Sequence, residues 1–381
     1  MNSKLIGGIL LVVGTTIGAG MLALPIATAQ LGFWGSLVLL MSVWLVMVAS
    51  AFLFLEVNLW LPADSNLVSM AGATLGKAGQ SVVWVVYLIL LYAILSAYLA
   101  GGGDILHYLL ATQGIHLPLA AAYMLFTFLL GFVVYLGIRA VDYVNRTLMF
   151  GKMGALCLLM LFMLPFVSNV NLESGTFGHL FSATSLSVTV ASFGSIMIIP
   201  SLRTYFGEDV KSLRKAIFIG MLIPLLCYVI WVMVVLGVVP LEGANGLKGM
   251  MTSSTANSDL VIAITTLLRS KVAATLLKFF TSICMTTSFL SVSLCLSDFM
   301  SDGLKVKKIG LGKVLITAIT FVPPICIVLF YPDAFIRALN YGGISCFFLM
   351  ILLPALMAWR GRYHFKFGQA YRVRGGKFLL P

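Results

Sequence analysis

The sequence predicts an all-α polytopic membrane protein that is built from two inverted repeats of five spans each. Three observations lead to this fold class. Of the 381 residues, 61% are hydrophobic and 9% are charged, whereas a soluble domain is about one-quarter charged. The apolar residues form ten runs, each long enough to cross a bilayer. Two of these runs are interrupted, and they lie five spans apart, as in transporters with inverted repeats.

The first run, about residues 5–29, contains a segment that is poorly suited to a continuous helix. Gly14-Thr15-Thr16-Ile17-Gly18-Ala19-Gly20 combines glycines with β-branched threonines, and both disfavour helix interiors. A helix that breaks in hydrocarbon exposes amides and carbonyls, which must find partners. Because half-helix ends attract a carboxylate and a cation, we predict a site for a small zwitterion. Close approach of a neighbouring helix is the alternative explanation of these glycines.

Nine further spans follow, and their connections are short except around residues 239–270. They are predicted near 34–61, 81–110, 118–138, 143–167, 183–204, 212–239, 271–300, 310–330 and 334–359. The segment 239–270 is polar, and a short helix is expected in it near Asp259–Leu268. An external gate and a plain surface loop are both consistent with this composition.

The sixth span contains the second interruption. Ala191-Ser192-Phe193-Gly194-Ser195 is followed by Pro200, and glycine and proline both interrupt an apolar helix. Paired interruptions at matching positions of two halves indicate a substrate site at the membrane midplane. We therefore predict a first repeat at 1–167, a second repeat at 183–359 and a basic cytoplasmic tail at 360–381.

Lysine and arginine collect on one side when the connections are assigned alternately to the two sides. The clusters at 305–313 and 360–377 lie on that side, and the other side receives Lys248, Arg269, Lys271 and Arg337. This asymmetry predicts a cytoplasmic N-terminus. The net charge of +12 is therefore read as a topology signal with weak affinity for anionic lipids, and not as a nucleic-acid surface.

Several other classes of protein are disfavoured by what the sequence lacks. The six cysteines all lie in apolar runs, which predicts no disulfide or metal framework. The four histidines form no HExxH pattern and no span carries paired carboxylates, so we expect no enzyme and no cofactor. A channel would need a re-entrant filter or a charged ring. A passive channel and an amino acid sensor stay as weaker alternatives to a transporter.

The residues of the first break are similar to a known family. The stretch from Gly14 to Pro25 resembles the first-span signature of the bacterial aromatic amino acid permeases, the tyrosine-specific ones above all. These belong to the hydroxy and aromatic amino acid permease family, within the amino acid–polyamine–organocation superfamily. Further similar segments occur in the same order along the chain: Leu55-Glu56-Val57, Pro62-Ala63-Asp64, Ala191–Gly194, Thr287–Leu290, Phe330-Tyr331-Pro332 and Tyr371–Gly376.

The resemblance implies a LeuT-like fold and proton-driven uptake of an aromatic amino acid, most readily tyrosine, across the bacterial inner membrane. Sodium coupling, or a preference for tryptophan, phenylalanine, serine or threonine, is the alternative. Ser195 and Ile196 stand where the tyrosine permease pattern has Phe and His, which affects the expected side-chain pocket. Family members have an eleventh span after the basic tail, which is expected to lie outside the ten-span core; this sequence ends about where that span would begin.

The substrate site is expected between the two breaks. The amides of Ile17, Gly18, Ala19 and Gly20, with the hydroxyl of Thr15 or Thr16, are predicted to hold the carboxylate. Carbonyls near Val13, Ser192 and Phe193 are predicted to receive the ammonium group, and Phe193 resembles the aromatic gate of this fold. The aromatic pocket is expected to draw on Tyr92, Ser96, Gly194, Ser195, Phe289, Asn340 and Tyr341.

Coupling is predicted to depend on Lys152 in the fifth span. This lysine lies too deep for its side chain to reach the cytoplasmic interface easily, and an ionisable residue at such a depth is a functional candidate. It resembles the lysine that occupies the sodium position in proton-coupled relatives. A lysine that extends to the inner headgroups is the alternative. Thr287 and Ser288 resemble the hydroxyl pair of the sodium site, so sodium coupling stays open if Lys152 does not reach them.

Overall fold

The fold is described from a computed structural model of the chain. Every regular element within the residues that it describes is a helix, as the composition predicts. The described residues are 3–62, 65–243, 246–331, 334–365, 367 and 371–373. Ala63, Asp64, Pro332 and Arg374–Gly376 of the family-like segments lie outside them. So do residues 366, 368–370 and 374–381 of the basic tail.

The first eight helices cover the predicted first repeat and the start of the second. They are α1 (Ser3–Thr16), α2 (Gly20–Thr28), α3 (Gly32–Leu59), α4 (Leu67–Thr112), α5 (Leu119–Leu136), α6 (Ile138–Met163), α7 (Asn169–Glu173) and α8 (Ala183–Ser192). The remaining helices are α9 (Ile199–Phe206), α10 (Val210–Val238), α11 (Leu247–Met250), α12 (Ala256–Leu268), α13 (Lys271–Leu304), α14 (Leu311–Phe330), α15 (Ala334–Phe347) and α16 (Leu353–Tyr363).

Nine helical stretches within the described residues are long and apolar enough to cross a membrane. The sequence predicts ten spans, and the difference arises in the first one. Helix α1 is too short to count by itself, and α2 continues through a 3-10 turn into α3, so that Gly20–Leu59 counts as one stretch. Gly32 ends that turn with a φ of 64°, a conformation that favours glycine.

Several helix boundaries differ from the sequence-based expectation. Helix α4 begins at Leu67, but Gly76 is non-helical (φ 80°, ψ −174°), so residues 67–75 form a helical segment that precedes the third span predicted near 81–110. Helix α6 begins at Ile138, five residues before the predicted start of the fifth span. The short helix expected near Asp259–Leu268 is present as α12, and it begins three residues earlier, at Ala256. The differences at α6 and α12 concern helix ends, where periodicity carries little information.

The two breaks lie inside the helix bundle, although α1 leaves Leu10 and Leu11 exposed. All nine residues of α2 are buried, as is expected of a helix that is apolar on every side. Helix α1 packs on α10, α2 packs on α8, and α8 packs on α15. The contact between α8 and α15 is so close that a Cβ on Gly343 of α15 would collide with the backbone carbonyl of Ser187. The bundle thus holds both breaks away from lipid.

Candidate functional site

The first break is shorter than the glycine-rich segment that predicts it. Helix α1 continues through Gly14 to Thr16, and α2 begins at Gly20, so residues 17–19 are non-helical. The amide of Ile17 donates to the Val13 carbonyl (2.9 Å), and the amide of Ala19 donates to Ser288 Oγ (3.0 Å). The amides of Gly18 and Gly20 make no hydrogen bond within the described residues, so these two donors are available to an anion.

The hydroxyl groups of the two threonines do not face the break. Thr16 Oγ1 donates to the Val12 carbonyl (2.7 Å), and Thr15 Oγ1 lies 2.9 Å from the same carbonyl. Thr15 is also exposed. Threonines inside a helix commonly bond backwards to the preceding turn. In this conformation, therefore, the predicted help from Thr15 or Thr16 is not in place.

The second break occupies residues 193–195, between Ser192 at the end of α8 and a 3-10 turn that starts at Ile196. The prediction that Pro200 interrupts this helix was wrong, because Pro200 lies in the first turn of α9. Proline is tolerated there since its missing N–H would have no intrahelical partner. The break itself follows from Phe193 and Gly194, which leave the helical path.

The two breaks contact each other. Ser192 Oγ lies 3.2 Å from the Gly20 carbonyl and 2.8 Å from the Val188 carbonyl. A Cβ on Gly20 would lie 3.1 Å from Ser192 Oγ and 3.3 Å from Ser192 Cα. Glycine at position 20 therefore permits the start of α2 to lie against the end of α8.

Tyr228 of α10 connects the breaks, and the sequence analysis missed it. Its phenol oxygen lies 2.7 Å from the Thr16 carbonyl and 2.8 Å from the Ser192 carbonyl. These carbonyls end α1 and α8, where a helix has unpaired acceptors and a partial negative charge. The ring also packs edge-on against Phe193, with centroids 5.2 Å apart. A tyrosine within an apolar span was the available signal, because its hydroxyl requires a partner.

Lys152 reaches the first break. Its side chain is 2% exposed, and its ammonium group donates to the Ile17 carbonyl (2.7 Å). The ammonium group thus lies in the bundle centre and not at a membrane surface. It binds one of the three non-helical residues of the first break, as a cation at the end of a half-helix would.

The hydroxyl groups of Thr287 and Ser288 on α13 have different hydrogen-bond partners. Ser288 Oγ accepts from the Ala19 amide (3.0 Å), and a Cβ on Gly18 would lie 2.6 Å from the same oxygen. Thr287 is buried, and its hydroxyl donates to the Ile283 carbonyl (2.8 Å). Helices α6 and α13 therefore contact the first break at neighbouring residues. Among the described residues, no group of three or more His, Cys, Asp or Glu side chains could hold a metal ion.

Three residues of the expected aromatic pocket, Phe289, Tyr92 and Ser96, have packing or hydrogen-bond partners in this conformation. Phe289 is fully buried, and its ring stacks on Phe321 with centroids 5.8 Å apart and packs edge-on against Phe126 at 5.1 Å. Tyr92 donates its hydroxyl to the Ile319 carbonyl (2.8 Å), and Ser96 donates to the Tyr92 carbonyl (2.8 Å). The first of these bonds ties α4 to α14, and together they leave both hydroxyl donors occupied.

The remaining pocket residues differ in accessibility. Ser195 is buried, and its amide donates to the Phe193 carbonyl (2.7 Å). Gly194 lies near Met350, whose methyl would be 3.6 Å from an added Cβ. Asn340 has a buried Oδ1 without a partner in the described chain, so it can accept from a ligand. Tyr341 is 63% exposed on the outside of α15 and does not enclose a pocket in this conformation.

A cavity of about 320 Å³ lies beside α9, just after the second break. It is bounded by α3, the start of α4, α9 and α13, and its lining includes Phe54, Asn66, Tyr87, Pro200, Thr204 and Phe299. The start of α1 is on the same side, because Lys4 Nζ donates to the Phe206 carbonyl at the end of α9 (3.4 Å). The bundle is thus hollow on the side that carries the N-terminus.

Comparison with known proteins identifies the family. The model of the tryptophan/tyrosine permease family matches residues 1–381. The chain belongs to this family. The permease is 35% identical to the tyrosine-specific transport system 2 of Haemophilus influenzae, over 100% of this chain and 93% of the relative. It is 31% identical to the tryptophan-specific transport protein of the same organism, over 100% of this chain and 92% of the relative.

A solved structure confirms the fold class of the permease. The crystal structure of MhsT in complex with L-phenylalanine superposes with a TM-score of 0.62 at 13% sequence identity, over 93% of this chain and 87% of that one. The permease therefore has the LeuT-like fold, with two inverted repeats of five spans and discontinuous first and sixth helices. The predicted family and the predicted fold class are both confirmed.

Proposed function

We propose that this permease is a secondary active transporter, and not an enzyme, that imports an aromatic amino acid, most readily tyrosine, by proton symport with alternating access. Family membership supports the substrate class. The observation that carries the coupling mechanism is the contact between the buried Lys152 ammonium group and the Ile17 carbonyl (2.7 Å). A titratable group is thereby attached to the same break that would hold the substrate.

The proton acts through this contact. A protonated Lys152 binds the Ile17 carbonyl and fixes the end of α1, whereas loss of the proton removes the charge-assisted part of that bond. Sodium coupling is the alternative, with Thr287, Ser288 and carbonyls of the first break as ligands. Lys152 competes with it, since its charge occupies the same carbonyl.

The substrate would bind between the breaks. The free amides of Gly18 and Gly20 suit a carboxylate. The ammonium group would take the carbonyls of Thr16 and Ser192, which Tyr228 holds in this conformation. The Val13 and Phe193 carbonyls already accept backbone amides, so they suit this role less well. The aromatic ring would lie toward Phe289, with Asn340 Oδ1 as an acceptor for a phenol.

We further propose that the protein lies in the bacterial inner membrane with a cytoplasmic N-terminus. The distribution of lysine and arginine supports this orientation. Residues 1–167 and 183–359 form the two repeats, and the basic tail at 360–381 faces the cytoplasm and its anionic lipids. In this orientation the 320 Å³ cavity opens toward the cytoplasm.

Uptake of labelled tyrosine into proteoliposomes tests this function. With an imposed inward proton gradient, tyrosine should accumulate above its external concentration, and unlabelled phenylalanine and tryptophan should compete better than serine. Equilibration without accumulation would indicate a passive channel. Binding without movement would indicate a sensor, and strong competition by serine alone would move the substrate out of the aromatic class.

A further inference from the structure

An acidic side chain in the third span binds the start of α12, which lies between the seventh and eighth spans. Asp104 of α4 is 1% exposed. Its Oδ2 accepts from the amides of Asn257 (3.1 Å) and Ser258 (2.9 Å), and its Oδ1 accepts from the Ser258 hydroxyl (2.6 Å). Three hydrogen bonds therefore join one carboxylate to the first turn of α12.

Helix α12 depends on Asp104 for the cap of its N-terminus. Its own N-cap residue, Thr255, makes no side-chain cap bond. Asp259 of the first turn accepts from the hydroxyls of Ser253 and Thr255 in the preceding loop. The first amides of a helix need acceptors, and a negative charge near them is favourable. Separation of α12 from α4 would exchange these three hydrogen bonds, one carboxylate accepting all of them, for bonds to water.

The side chain of Asn257 lies in the same contact between α4 and α12 and destabilises it. Asn257 is 2% exposed, and neither Nδ2 nor Oδ1 has a partner within the part of the chain that the structure describes. An unpaired buried amide destabilises the packed arrangement, and water would satisfy it after separation. The contact between α4 and α12 is therefore held by Asp104 and opposed by Asn257, which favours two discrete states.

The position of this contact relates it to the transport path. A Cβ on Gly101 of α4 would lie 2.6 Å from Asn257 Nδ2 and 2.8 Å from Met285 Cε. On α13, Met285 precedes the pocket residue Phe289 by about one turn, and Phe299, which lines the cavity, lies about 21 Å beyond Met285. On α13, the contact is thus near the middle of the helix and the cavity is near its C-terminal end, with Phe289 between them.

We infer that Asp104 and the first turn of α12 form a latch that holds the outer side of the permease closed while the inner side is open, and that the latch must release before substrate enters. Asp104 is a positioning residue here, because it acts through α12 and does not touch the substrate. This inference rests on the proposed function and orientation.

Accessibility of a reporter thiol from outside tests the latch. Met285→Cys supplies the reporter thiol, and each further substitution is combined with it. Spheroplasts that carry these variants are treated with a membrane-impermeant maleimide, and the protein without Met285→Cys, which keeps its native cysteines, gives the background labelling. Asp104→Asn should raise the labelling rate of the reporter about tenfold or more, because the bonds to a charged acceptor weaken. Ser258→Ala, which removes one of the three bonds, should raise it less. Asn257→Leu should lower it, because it removes the unpaired amide.

Asp259→Asn is the matched control, since it changes an acidic residue of the same turn that does not bind α4. Equal acceleration by Asp259→Asn and Asp104→Asn, or unchanged labelling in both Asp104→Asn and Ser258→Ala, would overturn the latch. If Asp104→Asn does not accumulate in the membrane, the other two variants test the latch. Ser258→Ala should then raise the labelling rate and Asn257→Leu should lower it, and absence of these opposite effects would overturn the latch. Labelling does not depend on the substrate, so uptake of labelled tyrosine by the parent tests the proposed function separately.

Discussion

Tyr228 shows how one hydroxyl group can join the half-helix ends at the two breaks. We predict that Tyr228→Phe destabilises the substrate-free permease by about 1–3 kcal/mol, because it leaves a buried carbonyl without a partner. The unfolding temperature in detergent, without substrate, measures the effect. Tyr123→Phe is the matched control: Tyr123 is 3% exposed and its hydroxyl has no partner in the described residues. Equal behaviour of the two variants would contradict the role of Tyr228.

At the residue scale, the sequence identifies Lys152 as an ionisable group deep in an apolar span and therefore as a functional candidate. Its contact with the first break is expected from the family resemblance, because the position in the sequence alone also allows the side chain to extend to the inner headgroups. The partners of Tyr228 and Ser288 cannot be predicted in this way. Each hydroxyl has several carbonyls within reach, and only the packing of α10 and α13 against the first break selects among them.

At the element scale, the contact between α8 and α15 requires glycine at position 343. We predict that Gly343→Ala strongly reduces the amount of folded permease, because the new methyl would collide with the Ser187 backbone, which cannot rotate away as a side chain can. Gly154→Ala is the control, since nothing lies within 4 Å of its Cβ and alanine favours a helix by about 1 kcal/mol. Size-exclusion chromatography and thermal unfolding should separate the two variants; similar profiles would contradict the close contact.

Helix interruptions can be predicted from composition, but their limits cannot. Glycine and threonine mark the first break correctly, yet α1 continues through Gly14 to Thr16, where the threonine hydroxyls bond back to the preceding turn. Pro200 is favourable in the first turn of α9, although it would be costly a turn later. Thus the same residue type interrupts a helix or is accommodated in it according to its position relative to the helix end, and packing determines where that end lies.

At the scale of the whole molecule, a buried ion pair joins the second span to the end of the chain. Glu56 and Arg362 are bonded through both carboxylate oxygens (2.7 and 2.6 Å), and the Val373 amide donates to the same carboxylate (2.7 Å). Their side chains are 1% and 3% exposed. The sequence predicts the basic tail as a topology signal, but it cannot predict this docking, because the partners are hundreds of residues apart.

We predict that Glu56→Gln destabilises the permease by about 3–5 kcal/mol, because it leaves the Arg362 charge buried and without its counter-ion. The free energy of unfolding in detergent, or the shift in unfolding temperature, measures this. Asp142→Asn is the control, since the Asp142–Arg146 pair is largely exposed, and such pairs contribute at most about 1 kcal/mol. An equal, small effect of both substitutions would show that the tail contact is not structural.

The central claim is that proton coupling acts through Lys152, and uptake driven by a single gradient tests it most directly. Proteoliposomes with the native protein, Lys152→Ala or Lys278→Ala receive a pH gradient or a sodium gradient in turn. Lys278 is the control because its ammonium group lies over the Tyr108 ring, 5.0 Å from the centroid, and away from the break. The native protein and Lys278→Ala should accumulate labelled tyrosine with the pH gradient alone, and Lys152→Ala should not. Accumulation that requires sodium, or that persists unchanged in Lys152→Ala, would contradict the account.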